Sequence, residues 1–384
     1  MIYFISRNQF LYESDVYKCI SVEESLAMMS SWGLIQCDTE TDGTYAKLNK
    51  LLCAQFGNID KTIQIVVDCT TVDIKRYKEV IESKFLIVQN GKFDLQFFYN
   101  HGIIPRKIYD TMIVEQFLHL GYPSGSISYS LKSIAKKRLK VDIDKTIRGQ
   151  IIWRGLDERV IEYAASDVVY LYDIMISQLK ECKEKGGLVG AKLECDFVPV
   201  IAYLEWCGIK LDADKWRAKM EKDLNNLTIA KAALNDFIVK LSKEGYKKPI
   251  KDSLGRTYYE TIPNNKFSKY VFIDRQGDLF EGFDLSPKVS INWSSSVQVV
   301  QVAKILGFNT AVQDKVTGED KDSVLEKQLK GQKGICDEFL ELYFKYQEYA
   351  KVVSSFGQGH LNTICPIDNR SHTIYKQLGA SSGK

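Results

Sequence analysis

Up to about residue 180 of this 384-residue chain, short apolar runs rich in β-branched and aromatic residues alternate with segments of helical period. The runs are IYFIS, GLIQCD, TIQIVVD and KFLIVQN. Strands and helices in alternation can bury their apolar faces together only in an α/β arrangement, a sheet flanked by helices. Past KEKGGLVG (183–190), which reads as a junction, the pattern becomes mainly helical. Trp216, Met220, Leu224, Leu227, Leu234, Ile238 and Leu241 recur at helical spacing, and Asp212 or Asp214 is placed to cap that helix. The stripe is expected to be a buried helix face. Residues 244–290 lose the helical period and gain Tyr, Phe, Gly and Pro, the composition of an inserted β-hairpin or loop region, and helical patterning resumes from Ser294 to about 360.

Composition excludes several classes. With 45% hydrophobic and 26% charged residues the chain can bury a core, and its length suggests two domains, 1–182 and 183–384. No apolar run reaches the ~18 residues of a bilayer span, so no membrane partner is expected. Nine cysteines, odd in number and scattered, form no CxxC pair, which argues against disulfides and for a reducing, cytoplasmic setting. Four isolated histidines offer no local zinc cluster, so an expected metal would rest on carboxylates, a preference of magnesium or manganese. The net charge of +3 does not by itself announce nucleic acid.

Three short motifs carry chemistry. The run GLIQCDTETDG leads an apolar strand into Asp38 and Glu40, which share one face of an extended chain and so need a cation. FLIVQN is followed by NGKFDLQFF, with Asp94 four residues after Asn90, where a helix could begin. In ERVIEYAASDVVYLYDI, Tyr163 and Asp167 are four apart on one helix face. Each motif alone reads as a solvated strand end, a helix N-terminal acid or a core tyrosine. The ordered trio within one domain is far more specific than its parts.

With DTET at 38–41, VQNGKFDL at 88–95 and YAASDVVYL at 163–171, residues 33–175 resemble the 3′-5′ exonuclease domain of the DEDD superfamily. Position 162 is Glu and the aromatic residue is Tyr163, which places the resemblance in the tyrosine branch. The resemblance implies a ribonuclease H-like α/β fold and a site of Asp38, Glu40, Asp94, Tyr163 and Asp167. Two divalent cations, Mg2+ or Mn2+, about 4 Å apart would sit on the four carboxylates. Tyr163, neutral because its ordinary pKa is about 10, would orient the attacking water. Thr41, Gln89, Asn90 and Phe93 would meet the terminal nucleotide. The basic run Lys132, Lys136, Lys137, Arg138, Lys140, Lys145 and Arg148 suits a phosphate backbone, with Lys145 the favoured contact.

Residues 193–212, 291–308 and 339–356 resemble, in order, the thumb region of family A DNA polymerases, and RSHTIYKQLGASSGK resembles the segment that precedes their palm. There Ser382 and Lys384 stand where the family has Thr and Arg, and both are expected to contact DNA. The resemblance implies the proofreading and thumb half of a polymerase, acting on single-stranded DNA 3′ ends and primer-template. Palm and fingers are expected on a second polypeptide, in the split form seen in bacteriophages, with a truncated polymerase as the alternative. Two other readings stay open: a ribonuclease D-like RNA trimmer, and a non-catalytic DNA-binding subunit.

Overall fold

The computed structural model describes all residues except 9–13, 123–124, 126, 145–146, 148, 274–285, 314–317 and 380–384. The expectations for Lys145, Arg148, Ser382 and Lys384 therefore lie outside the described residues. Two compact units are present, Met1–Lys210 with Ile364–Lys384, and Leu211–Thr363.

In the first unit, β1 (Ile2–Ile5), β2 (Tyr17–Cys19), β3 (Leu34–Thr41), β4 (Leu51–Gly57), β5 (Gln64–Asp68), β6 (Phe85–Val88) and β7 (Ile108–Asp110) form a seven-stranded sheet in the order β2-β1-β5-β4-β3-β6-β7. β4 runs antiparallel to β3 and β5, and every other pairing is parallel. The four apolar runs of the sequence become β1, β3, β5 and β6. β4 shows no apolar/polar alternation because it lies mid-sheet and is buried on both faces.

Nine helices accompany the described sheet: α1 (Val22–Ser30), α2 (Lys78–Ser83), α3 (Gly91–Asn100), α4 (Thr111–Leu118), α5 (Leu131–Leu139), α6 (Ile151–Arg154), α7 (Glu158–Asp167), α8 (Leu171–Glu184) and α9 (Leu188–Cys207). α7 packs Val160, Ile161, Ala164 and Ala165 against Phe4, Cys53 and Val66. α3 packs Leu95, Phe97 and Phe98 in the cluster that holds Cys37, Ala54 and Val67, the residues alternating with those beneath α7. The period of two along the strands thus sends α7 and α3 to opposite faces of the sheet.

The junction expected at 183–190 is only the turn between α8 and α9. α9 buries Val198 and Ala202 in the core of α3 and Ala191 and Cys195 beside Tyr109, so the first compact unit runs on to Lys210 rather than stopping at 182. It also takes back the chain's last segment: β8 (Ile209–Lys210) pairs antiparallel with the short strand Arg370–Ser371.

The second unit is built on α10 (Ala213–Glu244), whose N-cap Asp212 accepts a hydrogen bond from the Lys215 N–H at 3.1 Å. Only the C-terminal half of the expected stripe is core. Leu234, Ile238 and Leu241 join Phe237, Trp293 and Phe339, whereas Leu224 is 56% exposed. The 244–290 region opens with a hairpin of β9 (Tyr246–Lys251) and β10 (Thr257–Ile262), followed by α11 (Asn265–Ser268) and β11 (Val271–Ile273) paired with β12 (Pro287–Val289). After α12 (Ser296–Leu306) a small hairpin, β13 (Ala311–Gln313) with β14 (Asp320–Asp322), breaks what the sequence suggests is continuous helix. α13 (Glu326–Lys330), α14 (Asp337–Ser355) and α15 (Gln358–Leu361) complete it.

Candidate active site

β3 carries the first two acids. Asp38 lies opposite Gln55 and Glu40 opposite Cys53 on β4, and the register shifts between Glu40 and Thr41, an irregularity that ends regular pairing beside the acids. Being two apart, Asp38 and Glu40 point to the α7 face. There Asp167, at the C-terminal end of α7, joins them, and carboxylate oxygens of Asp38, Glu40 and Asp167 lie within 4.8 Å of one another. Tyr163, one turn back on α7, is buried and hydrogen-bonded to Asp167. Burial and the Asp167, Glu40 and Asp38 carboxylates drive the Tyr163 phenol far above its ordinary range. It is therefore a hydrogen-bond donor at any physiological pH.

Asp94 comes from the other side. It stands in the first turn of α3, which starts at Gly91, earlier than the sequence indicated. Thr39, between Asp38 and Glu40 and so pointing to the α3 face, donates to Asp94 Oδ1 at 2.5 Å. Asp94 Oδ2 is buried with no hydrogen-bond partner, and burial pushes the Asp94 carboxyl up to about 8. The structure therefore gathers three of the four expected acids and leaves Asp94 bonded through Thr39 to the same strand.

Two supporting residues went unread in the sequence. Gln55 is fully buried and donates to Asp38 Oδ2 at 2.8 Å, fixing that carboxylate from β4. Asp110, the N-cap of α4, accepts from the backbone N–H groups of Asn90 (3.1 Å), Gly91 (2.7 Å), Met112 (2.9 Å) and Ile113 (3.3 Å). One buried carboxylate thus pins the turn that leads into α3 and aims Asp94. An apolar strand ending in Asp before a helix was the available signal for Asp110. For Gln55 there was none short of the β3–β4 pairing.

The expected nucleotide contacts are placed as follows. Thr41 donates to the Gly43 carbonyl at 2.7 Å. Gln89 donates to the Tyr129 carbonyl at 2.9 Å and accepts from Thr111, so both ends of its amide are already engaged. Asn90 takes a left-handed conformation, φ 62°, at the start of α3. Phe93 is half-buried against the α3 core with its ring 5.1 Å from that of Phe97. A cavity of about 860 Å3 is walled by Asp42, Lys50, Leu52, Phe97 and Ile151 among others, and by none of the expected catalytic or nucleotide-contact residues. In the basic run, Arg138 is bound inside the protein to the buried Glu115 and to Glu181 at 3.0 Å, and Lys137 reaches Glu115 at 3.2 Å. These two cations serve the fold.

Three mutually close carboxylates in a partly buried cleft repel one another unless a cation lies among them. The all-oxygen donor set and the orphaned Asp94 oxygen fit hard divalent cations.

Residues 15–181 match the family model of the 3′-5′ exonuclease. This segment is a 3′-5′ exonuclease domain. The DNA polymerase I of Aquifex aeolicus is 26% identical over 221 residues, 52% of this chain and 36% of that protein. Ribonuclease D of Escherichia coli is 36% identical over 115 residues, 29% of each. The chain thus spans about a third or less of the length of these relatives. The POL domain of Pol1 from M. smegmatis, solved with DNA primer-template and dNTP, superimposes with a TM-score of 0.64 at 13% identity, over 94% of this chain and 52% of that one. That likeness is one of fold, and it extends well past the exonuclease domain. Among the described residues no helix is long and apolar enough to cross a membrane.

Proposed function

We propose that the chain hydrolyses DNA from its 3′ end, as the proofreading and thumb half of a family A polymerase. The observation that carries the DNA reading is the fold match to a polymerase domain along 94% of the chain, which reaches far beyond residue 181. Asp38, Glu40 and Asp167 would hold one divalent cation, and Asp94, with Asp38, would support a second. Magnesium or manganese suits these oxygens, and when bound such ions neutralise charge on phosphoryl oxygens and acidify water.

The chain's own groups do the positioning. Gln55 holds Asp38 in one orientation. Tyr163 keeps its proton, anchored on Asp167, and its phenol orients the attacking water by a hydrogen bond instead of removing a proton from it. Asn90 and Phe93 border the place of the terminal nucleotide, with Thr41 at the strand end, and Gln89 acts by holding the Tyr129 segment. Single-stranded DNA 3′ ends and primer-template are the proposed substrates.

A second reading, 3′ trimming of RNA, is favoured by the higher local identity to ribonuclease D. End-labelled DNA and RNA of one sequence separate the two. Faster release of mononucleotides from DNA supports the proofreading reading, and faster release from RNA rejects it.

A further inference from the structure

Away from the exonuclease carboxylates, the segment that returns to the first unit brings together a second set of ligand atoms. Cys365, Asp368 and His372 present a thiol sulfur, a carboxylate oxygen and an imidazole nitrogen within 4.8 Å of one another. They come from one tight turn. The Cys365 N–H donates to the Arg370 carbonyl at 2.8 Å and the Asn369 N–H to the Cys365 carbonyl at 2.9 Å, with Asn369 left-handed at φ 56°. Strand Arg370–Ser371 then pairs with β8, so the turn is fixed on both sides.

His372 decides what the set can hold. Its Nδ1 lies 2.8 Å from the Glu205 carbonyl, an acceptor only, so Nδ1 carries the proton. In the neutral ring Nε2 then bears a lone pair, yet it faces the Asp368 carboxylate oxygens at 3.1 and 3.2 Å. Two lone pairs at that distance need a positive charge: a second proton on the ring, or a cation shared with the Cys365 sulfur. An Nδ1–H anchored on a backbone carbonyl is the usual support of a metal-bound histidine. Sulfur, nitrogen and oxygen donors from Cys-x2-Asp-x3-His suit a borderline-soft ion that accepts four-coordination, and not magnesium. Lys47, the nearby ammonium, lies 3.5 Å from the centre of the Trp206 ring, on which it is stacked.

We propose that Cys365, Asp368 and His372 form a zinc-class metal site that clips the returning segment to the end of α9. Binding converts the Cys365 thiol to thiolate with release of its proton, and the fourth position is left to water. This site is separate from the oxygen-only exonuclease site and takes a different class of ion.

The test is titration of the whole chain with Co2+, read by absorption. We expect a thiolate-to-cobalt charge-transfer band with intense visible bands of a four-coordinate ion, displaced by one equivalent of Zn2+. The charge-transfer band should vanish in Cys365→Ser, lose most of its intensity in His372→Ala, and persist in an Asp38→Ala, Glu40→Ala double variant. Absence of the band in the unaltered protein overturns the proposal and leaves an imidazolium–carboxylate pair. A band that survives in Cys365→Ser, which would come from another cysteine, overturns it equally.

Discussion

Asp94 is a carboxylic acid held in the protein interior with one oxygen satisfied by Thr39 and the other by nothing. Its folded pKa of about 8 stands far above the ordinary value of about 3.9 in an unfolded chain. The unfolded chain therefore releases this proton first, and the associated stability, complete below about pH 4, is lost as pH rises towards 8. In chelator, Asp94→Asn should raise the melting temperature more at pH 8 than at pH 5 while removing metal-dependent cleavage; an equal gain at both pH values would contradict the burial assigned to this group. Wild-type protein should also release protons on binding the metal, visible as a buffer-dependent binding enthalpy. Tyr163 is the contrasting case. Its phenol stays protonated, so Tyr163→Phe should slow single-turnover cleavage, whereas Asp38→Ala or Asp167→Ala should abolish it. Complete loss in Tyr163→Phe would contradict a role confined to orienting water. Asp38 and Glu40 were legible in the sequence because a strand's period of two is visible in two letters. Gln55 was not, since its meaning depends on a strand pairing between residues 17 apart.

At the scale of elements, α4 and α5 are tied by one buried charge. Glu115, 1% exposed, binds Arg138, accepts from Gln178 at 2.9 Å and meets Lys137 at 3.2 Å. A basic run on a helix reads as a solvated or phosphate-facing stripe until its partner is known, and that partner lies 23 residues earlier in the chain. Removing Glu115 leaves the buried Arg138 guanidinium with Glu181 as its remaining carboxylate partner, and breaking a buried ion pair typically costs about 3–5 kcal/mol. Glu115→Ala should therefore lower stability to chemical denaturation by that order, while Lys136→Ala, on the same helix and exposed, should change it little. The Arg138 and Gln178 contacts hold the Glu115 carboxyl below its ordinary range despite burial. Its contribution is therefore present above about pH 4.3, the unfolded value, and is lost as pH falls through the lower folded value.

At the scale of the whole molecule, the sheet, the helical second part and the motif order were legible because each follows from local periodicity. The division into compact units was not. A Gly-rich turn at 186–187 looks the same whether it separates domains or only two helices, and α9 reveals its allegiance through Val198 and Ala202, buried against α3. A chain ending at 182 should accordingly melt at a lower temperature than one ending at 210, by circular dichroism. Equal melting temperatures would show that α9 contributes nothing to the exonuclease core.

We propose that Asp38, Glu40 and Asp167 form a metal-dependent 3′-5′ nuclease centre acting on DNA. The most direct test is magnesium-dependent digestion of 5′-end-labelled single-stranded DNA beside the matching RNA, with wild type and the Asp38→Ala, Glu40→Ala variant. Stepwise shortening of the DNA from its 3′ end is expected, faster than that of the RNA and abolished by chelator and by the double substitution. Metal-independent cleavage, or shortening that persists in the double variant, would contradict it.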